Sequence, residues 1–336
     1  RPFHLGRNLS GQGAQGPGAA PPPALAERYA ELCVTTNFTF LTGASHPEEM
    51  VTRAAELGLE AIAITDRNSV AGVVRAFSAL KELTRLRAEA LADRQAAQDG
   101  PLIRSQQVTD HSSRLTRGTP TAAPAPQDAP LPRLIAGSRL VLTDSPVEWL
   151  ALPTDLGAWS RLTRLLSLGK TRAPKGECHL TLEDLEAWAE GMILIALPPD
   201  PLPDPAGPAP DMARARDHLL RLSRLCPGRT FLGAAPRYDG RDQGRLDRLA
   251  QISQVTGLPL VAVGDVLMHR AFRRPVADVL TCLRLGLRID DIGRHRLPNA
   301  ERRLKPARDM ARMFHRYPAA LRRSVEIAGR CAFRLD

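Results

Sequence analysis

Lysine is nearly missing from this 336-residue sequence. It occurs at Lys81, Lys170, Lys175 and Lys305 alone, so arginine supplies almost all of the positive charge. Aromatic residues are few as well, 4% against 43% hydrophobic, which leaves Leu, Ala, Val and Ile to build the core. Cysteine is sparse and scattered: Cys33, Cys178, Cys226, Cys282 and Cys331 are odd in number and never form a C-x-x-C pair. That argues against a disulfide framework or a zinc knuckle and for a reducing cytoplasm. No apolar run approaches the roughly 20 residues that span a bilayer. The opening stretch, which lacks Met, has no apolar core of a secretory signal. The expectation is a soluble, cytoplasmic protein with no membrane contact. Three catalytic signatures are absent too: a P-loop, a G-x-S-x-G elbow and a G-x-G-x-x-G following a strand.

What is present is a strong positive charge, +10 net with a pI near 10.1. Such a balance suits a nucleic-acid partner; an arginine bias from a GC-rich coding sequence accounts for it equally well. Three stretches are too poor in large apolar groups to fold alone: 1–26, the low-complexity insertion 84–132, and the Pro-rich 198–210. All three are expected to be irregular.

Between them one unit recurs. AAELGLEAIAIT, WAEGMILIAL and QVTGLPLVAVGD each read as a helix end, a glycine, then a short strand. Gly58, Gly191 and Gly257 fall where a left-handed C-cap is needed. The apolar runs that follow (61–65, 192–197, 259–263) are continuous, as in strands buried on both faces of a parallel sheet. Ser45 with Glu48, and Thr181 with Asp184, have capping-box spacing. Helices are expected at 46–57, 69–82, 156–168, 182–190, 212–225 and 241–256, with further strands at 29–35, 134–142, 147–151 and 230–233. This alternation implies an α/β barrel or open α/β sheet with parallel strands. After about residue 271 the pattern turns helical (275–286, 306–316, 319–331).

In parallel α/β folds chemistry gathers at the carboxyl ends of the strands. Asp66, in AIAITDRNS, and Asp265, in VAVGDVLMH, fall there. Each is either a metal ligand or base, or a structural cap of the next turn. The eight histidines do not cluster. His4 and His111 lie in low-complexity stretches, and His218 and His315 in expected helices. His46 sits at a helix start, and His179 beside Cys178 has no second pair near it. His295 lies between two arginines, and His269 follows the last strand as a candidate polar contact.

The segments AELCVTTNFTFLTGASHPEEM and LGLEAIAITDRNSVAGVVRAF resemble the opening of the PHP domain in bacterial C-family DNA polymerases, most of all the error-prone, translesion branch. The likeness continues through LIAGSRLVLTDSPVEWLALPTD, SRLTRLLSLGKTRAPKGECHLTLEDLEAWAEGMILIAL, GLPLVAVGDVLMHRAFRRPVADVLTCLRLG and LPNAERRLKPARDMARMF, in family order over most of 28–336. It implies a PHP-type distorted seven-stranded βα barrel over 27–270, followed by a helical connector over 271–336 toward a palm domain. In that family the palm holds magnesium for nucleotidyl transfer. For the full-length polymerase the resemblance implies DNA as partner, alongside other mutagenesis or replisome proteins in damage-induced repair synthesis.

An active PHP site needs a cluster of His and acidic ligands for two or three divalent ions. Here Cys33 and Thr35 stand at the family's His-x-His, and Thr42 stands for the Asp before Gly43. Arg67 replaces the His after Asp66, Arg139 the acidic residue after Gly137-Ser138, and Leu267 the His after Asp265. A guanidinium has no lone pair to donate and repels a cation. The expectation is a degenerate site with no catalytic or metal-binding residues, in which Arg67 and Arg139 pair with Asp66 and Asp265. Two other readings make different demands. An active PHP phosphoesterase or 3′–5′ exonuclease needs His-rich strand ends. A stand-alone nucleic-acid-binding module needs basic residues interleaved with aromatics.

Overall fold

Three strands of the computed structural model, beginning at Ala61, Met192 and Leu260, open as short apolar runs just after a helix cap at a glycine. The structure describes residues 28–99, 130–202 and 210–335. The expected irregular stretch 1–26 and most of the insertion lie outside these residues, as does 203–209.

Seven strands among the described residues form one sheet in sequential order. They are β1 (Ala30–Val34), β2 (Ala61–Arg67), β3 (Arg133–Leu140), β4 (Glu148–Pro153), β5 (Met192–Leu197), β6 (Thr230–Ala234) and β7 (Leu260–Ala262). Helices α1 (Pro47–Glu56), α2 (Ala71–Asp99), α3 (Leu156–Thr171), α4 (Leu182–Trp188), α5 (Met212–Leu225) and α6 (Asp242–Thr256) fall between them. Gly58, Gly191 and Gly257 all have φ between 64° and 73°, the left-handed conformation their spacing requires.

Side-chain parity divides the core into two layers. Ile62, Ile64, Trp149, Ala151, Leu194 and Ala196 join the layer containing residues of the surrounding helices. Ala61, Ala63, Leu150, Leu152, Ile193 and Ile195 face the other way, into the barrel. The sheet curls until its ends meet: Val34 bridges Val266 just beyond β7, with Thr35 N donating to Val266 O at 2.9 Å. The fold is a distorted seven-stranded α/β barrel.

After β7 come α7 (Arg274–Leu285), α8 (Ala307–Met313) and α9 (Pro318–Arg330). α9 packs on β7 and β1 and sends Ile327 and Ala328 into the inner apolar layer. Ser324 Oγ accepts from Ala30 N at 3.2 Å, and Arg323 donates to Leu260 O, so α9 satisfies backbone groups along the seam between the two end strands.

Three expectations need correction. β4 runs antiparallel to both β3 and β5; buried on both faces, it carries the same continuous apolar run as its parallel neighbours. The insertion's first part, 84–99, is helical and extends α2. Good helix formers and the pairs Arg85–Glu82 and Arg85–Glu89 support that exposed extension. The described part of the Pro-rich stretch, 198–202, is irregular as expected, and Asp200 there receives Arg245 Nε at 3.0 Å. Ser45 does not cap α1: His46 is the N-cap, Glu49 accepts from His46 N at 2.9 Å, and Ser45 Oγ instead meets His269 Nδ1 at 2.8 Å. The Thr181–Asp184 capping box is present.

Candidate functional site

The carboxyl ends of β3, β5, β6 and β7 and the start of β4 border one cleft of about 440 Å³, with Arg139, Glu148, Asp265, Arg302, Arg237 and Asn299 in its lining. Asp265 stands at its floor with φ of 47°, a left-handed conformation that Asp tolerates better than most residues. Its carboxylate is clasped on both sides. Arg139 Nη2 donates to Oδ1 at 2.7 Å, Arg302 Nη2 lies 2.5 Å from Oδ2, and Arg302 Nε donates to the Asp265 backbone oxygen at 2.9 Å. Burial alone would raise this carboxyl; the two guanidiniums more than offset it and hold the group well below the usual carboxylate range. Arg139 also lies 3.1 Å from Glu148 at the start of β4. The Cys33 thiol, 3.7 Å from Asp265 Oδ1, is buried, and that burial pushes its pKa far above the ordinary thiol value.

Asp66 has a different environment. Its neighbours in parity are Ile62 and Ile64, so it points toward the helices and not into the barrel. It is fully buried and accepts from Thr36 N, Thr36 Oγ1 and Thr39 Oγ1, each at 2.8 Å. Burial raises its pKa, against hydrogen bonds from Thr39 and Thr36 that pull it down. α2 crosses directly above: a Cβ on Gly72 would lie 2.4 Å from Asp66 Oδ2. The loop from Thr36 to Ser45 folds back equally closely, and a Cβ on Gly43 would lie 2.0 Å from Thr36 O.

The expected pairing of arginines with both aspartates therefore holds on one side only. Arg139 meets Asp265. Arg67 does not meet Asp66, because consecutive strand residues point to opposite faces; the Arg67 side chain is exposed and threonines occupy Asp66. The second cation on Asp265 is Arg302, which the sequence reading missed. Arg302 lies 37 residues downstream of Asp265, and no local pattern marks it. Its loop is held because Leu267 N and Met268 N both donate to Arg302 O.

The remaining positions are dispersed. Thr35 is buried, its hydroxyl without a hydrogen-bond partner. Thr42 sits at the surface, touched by Arg284 at 3.4 Å. Leu267 packs with Ala44, Met268 and Ala277. His269 meets Ser45 and Phe272, and its pKa is lowered by burial first. Among the described residues no group of three or more His, Cys, Asp or Glu side chains is placed to hold a metal ion. No helix among them is long and apolar enough to cross a membrane.

A second polar cluster, also missed, fills the seam between β1 and β7. Glu31 is buried and accepts from Tyr29 OH (2.8 Å), Cys33 N (3.0 Å) and Gly264 N (2.9 Å). Its carboxylate thus bridges strands that do not pair there. Burial drives its pKa up to about 7, against those hydrogen bonds and the nearby Lys305. Lys305 is itself buried and pushed down to about 8, with its ammonium 4.4 Å from the Tyr238 ring centre.

Residues 31–229 match the PHP domain family. The chain belongs to the PHP domain family. The match stops short of β7, so Asp265 and the α9 packing lie beyond it. An error-prone DNA polymerase of Ruegeria pomeroyi is 60% identical to this PHP-domain chain over 308 residues, which is 92% of the chain and 26% of that protein. One from Rhodopseudomonas palustris strain BisB5 is 41% identical over 308 residues, 92% of the chain and 23% of that protein. The chain thus spans about a quarter of the length of these relatives. An amidohydrolase structure from Chromobacterium violaceum, at 13% identity, covers 70% of the chain and 86% of its own length with a TM-score of 0.41, too slight a likeness to carry an argument.

Proposed function

We propose that this chain is the N-terminal PHP domain of an error-prone DNA polymerase used in damage-induced translesion synthesis, and that its barrel mouth has a structural or partner-binding role in place of metal chemistry. On this reading the stretch 271–336 leads toward a palm domain that carries the magnesium and the nucleotidyl transfer, and DNA is the partner of the longer protein.

The observation that carries the second half is the clasp on Asp265. A metal site of this family would need that carboxylate free and lone pairs around it. Here both oxygens face guanidiniums, and one of them, Arg139, stands where the family pattern has a ligand. The acceptors of Asp66 are taken up by Thr36 and Thr39. The donor set does not fit a cluster of divalent ions, and no step is assigned to one. Arg139 and Arg302 supply the charge balance that the ions would have supplied.

Incubating the purified chain with single-stranded DNA and manganese tests this. The expected result is no hydrolysis above that of an Asp265→Ala variant. Manganese-dependent cleavage that the variant abolishes would overturn the reading.

A further inference from the structure

The barrel closes between β1 and β7 by two different means. At the mouth the chain meets itself as backbone, Val266 N donating to Cys33 O and Thr35 N to Val266 O, each at 2.9 Å. Deeper in the seam a side chain takes over. The Glu31 carboxylate crosses from β1, with Oε1 accepting from Gly264 N at 2.9 Å and Cys33 N at 3.0 Å. Oε2 accepts from the Tyr29 hydroxyl at 2.8 Å. The fit is close: a Cβ on Gly264 would lie 2.2 Å from Oε2. The three donors are not equivalent. A backbone N–H can only donate, whereas a tyrosine hydroxyl can turn and accept. Oε1 is therefore fixed as an acceptor, and Oε2 is the oxygen that can carry a proton, by donating it to Tyr29.

Gly264 also opens a short segment that leads to the mouth. Asp265 is clasped by Arg139 and Arg302, Val266 bridges to β1, and Leu267 N and Met268 N donate to Arg302 O. The ionisable groups around Glu31 come from several elements: Tyr29 and Cys33 from β1, Asp265 after β7, and buried Lys305 from the Arg302 loop. Tyr238, from the turn after β6, faces Tyr29; Arg139 of β3 and Arg302 face Cys33; Arg323 of α9 donates to Leu260 O. Burial favours the acid form of Glu31 most, against the bonds from Gly264, Tyr29 and Cys33 and the Lys305 charge. We propose that Glu31 is a proton-operated catch on the seam: protonated at Oε2 it holds the barrel shut, and loss of that proton loosens Gly264–Met268 and with it the Arg302 clasp on Asp265. A proton held at about 7 in the closed seam, against 4.5 once the seam opens to water, raises the opening constant about tenfold between about pH 6 and about pH 8.

Hydrogen exchange of single amides in the 336-residue chain, corrected for intrinsic rates, is the test. Protection of Gly264, Val266, Leu267 and Met268 should fall about tenfold across that range. These amides should exchange faster than those of β4 and β5 and respond little to low urea, as in a local opening. Glu31→Gln should keep its acid-end protection throughout, since glutamine Oε1 can accept from both N–H groups while Nε2 donates to Tyr29. Lys305→Met, which removes a charge that favours the anion, should move the fall to higher pH. Circular dichroism checks both variants, and the wild-type profile decides by itself if either fails to fold. Level protection in the wild type, or the same fall in Glu31→Gln, would overturn the proposal. So would a fall at Gly264 that leaves Leu267 and Met268 unchanged, or seam exchange with the rate and urea dependence of β4 and β5.

Discussion

A half-buried carboxylate and a fully buried one show how differently the same chemical group can be stabilised within one barrel. Asp265 is kept charged by Arg139 and Arg302, and its stability contribution is present above the ordinary carboxylate pKa and lost as pH falls through its depressed value. Breaking a fully buried ion pair costs ~3–5 kcal/mol. Because Arg302 remains when Arg139 is removed, Arg139→Met should cost about 2 kcal/mol, and a cycle with Asp265→Asn should show coupling above ~1 kcal/mol in urea unfolding. A coupling near zero would mean that the clasp contributes nothing. Glu31 has the opposite sign. Its pKa rises from 4.5 to about 7, so the folded chain holds this proton more tightly than the unfolded one. The stability it contributes is full below 4.5 and lost as pH rises through about 7. Glu31→Gln, a neutral stand-in for the protonated acid, should flatten the fall in urea midpoint across that window by keeping the acid-end stability and raising that at the alkaline end. An unaltered slope would place the titration elsewhere.

At the scale of elements, the turns that deliver these residues depend on backbone approaches that only glycine allows. Gly43→Ala puts a methyl group 2.0 Å from Thr36 O, backbone that cannot swing aside. It should cost ~3 kcal/mol or more and loosen the loop that binds Asp66. Gly58→Ala meets nothing within 4 Å and strains only a φ of 64°, so its cost should stay near 1 kcal/mol. Urea midpoints for the two variants separate a steric requirement from a conformational one. Much of this architecture could be read from the sequence, because C-cap glycines and unbroken apolar runs mark helix ends and buried strands by local physics. The direction of β4 could not, since a strand buried on both faces looks the same in either orientation. The extension of α2 to Asp99 was hidden for a different reason. Its exposed Ala, Arg, Glu and Gln residues carry no apolar periodicity, and its supports are ion pairs between neighbouring turns. At the site, Asp66 and Asp265 were visible from their places at strand ends, and Arg139 from the resemblance to the PHP pattern. Arg302 and Lys305 were not, because only the return of their loop beside Met268 brings them to the barrel.

For the molecule as a whole, the PHP-family barrel pairs the charged residues of its mouth and seam internally. Arg139 and Arg302 close the mouth around Asp265, Glu31 fills the seam between the end strands, and α9 completes the inner layer. The central claim is that internal cations have taken the place of bound ones. Its most direct measurement is the metal content of the purified chain after growth and dialysis with zinc and manganese. The account predicts a content close to zero, unchanged between wild type and Asp265→Asn. A stoichiometric pair or trio of ions in the wild type, lost in that variant, would contradict it.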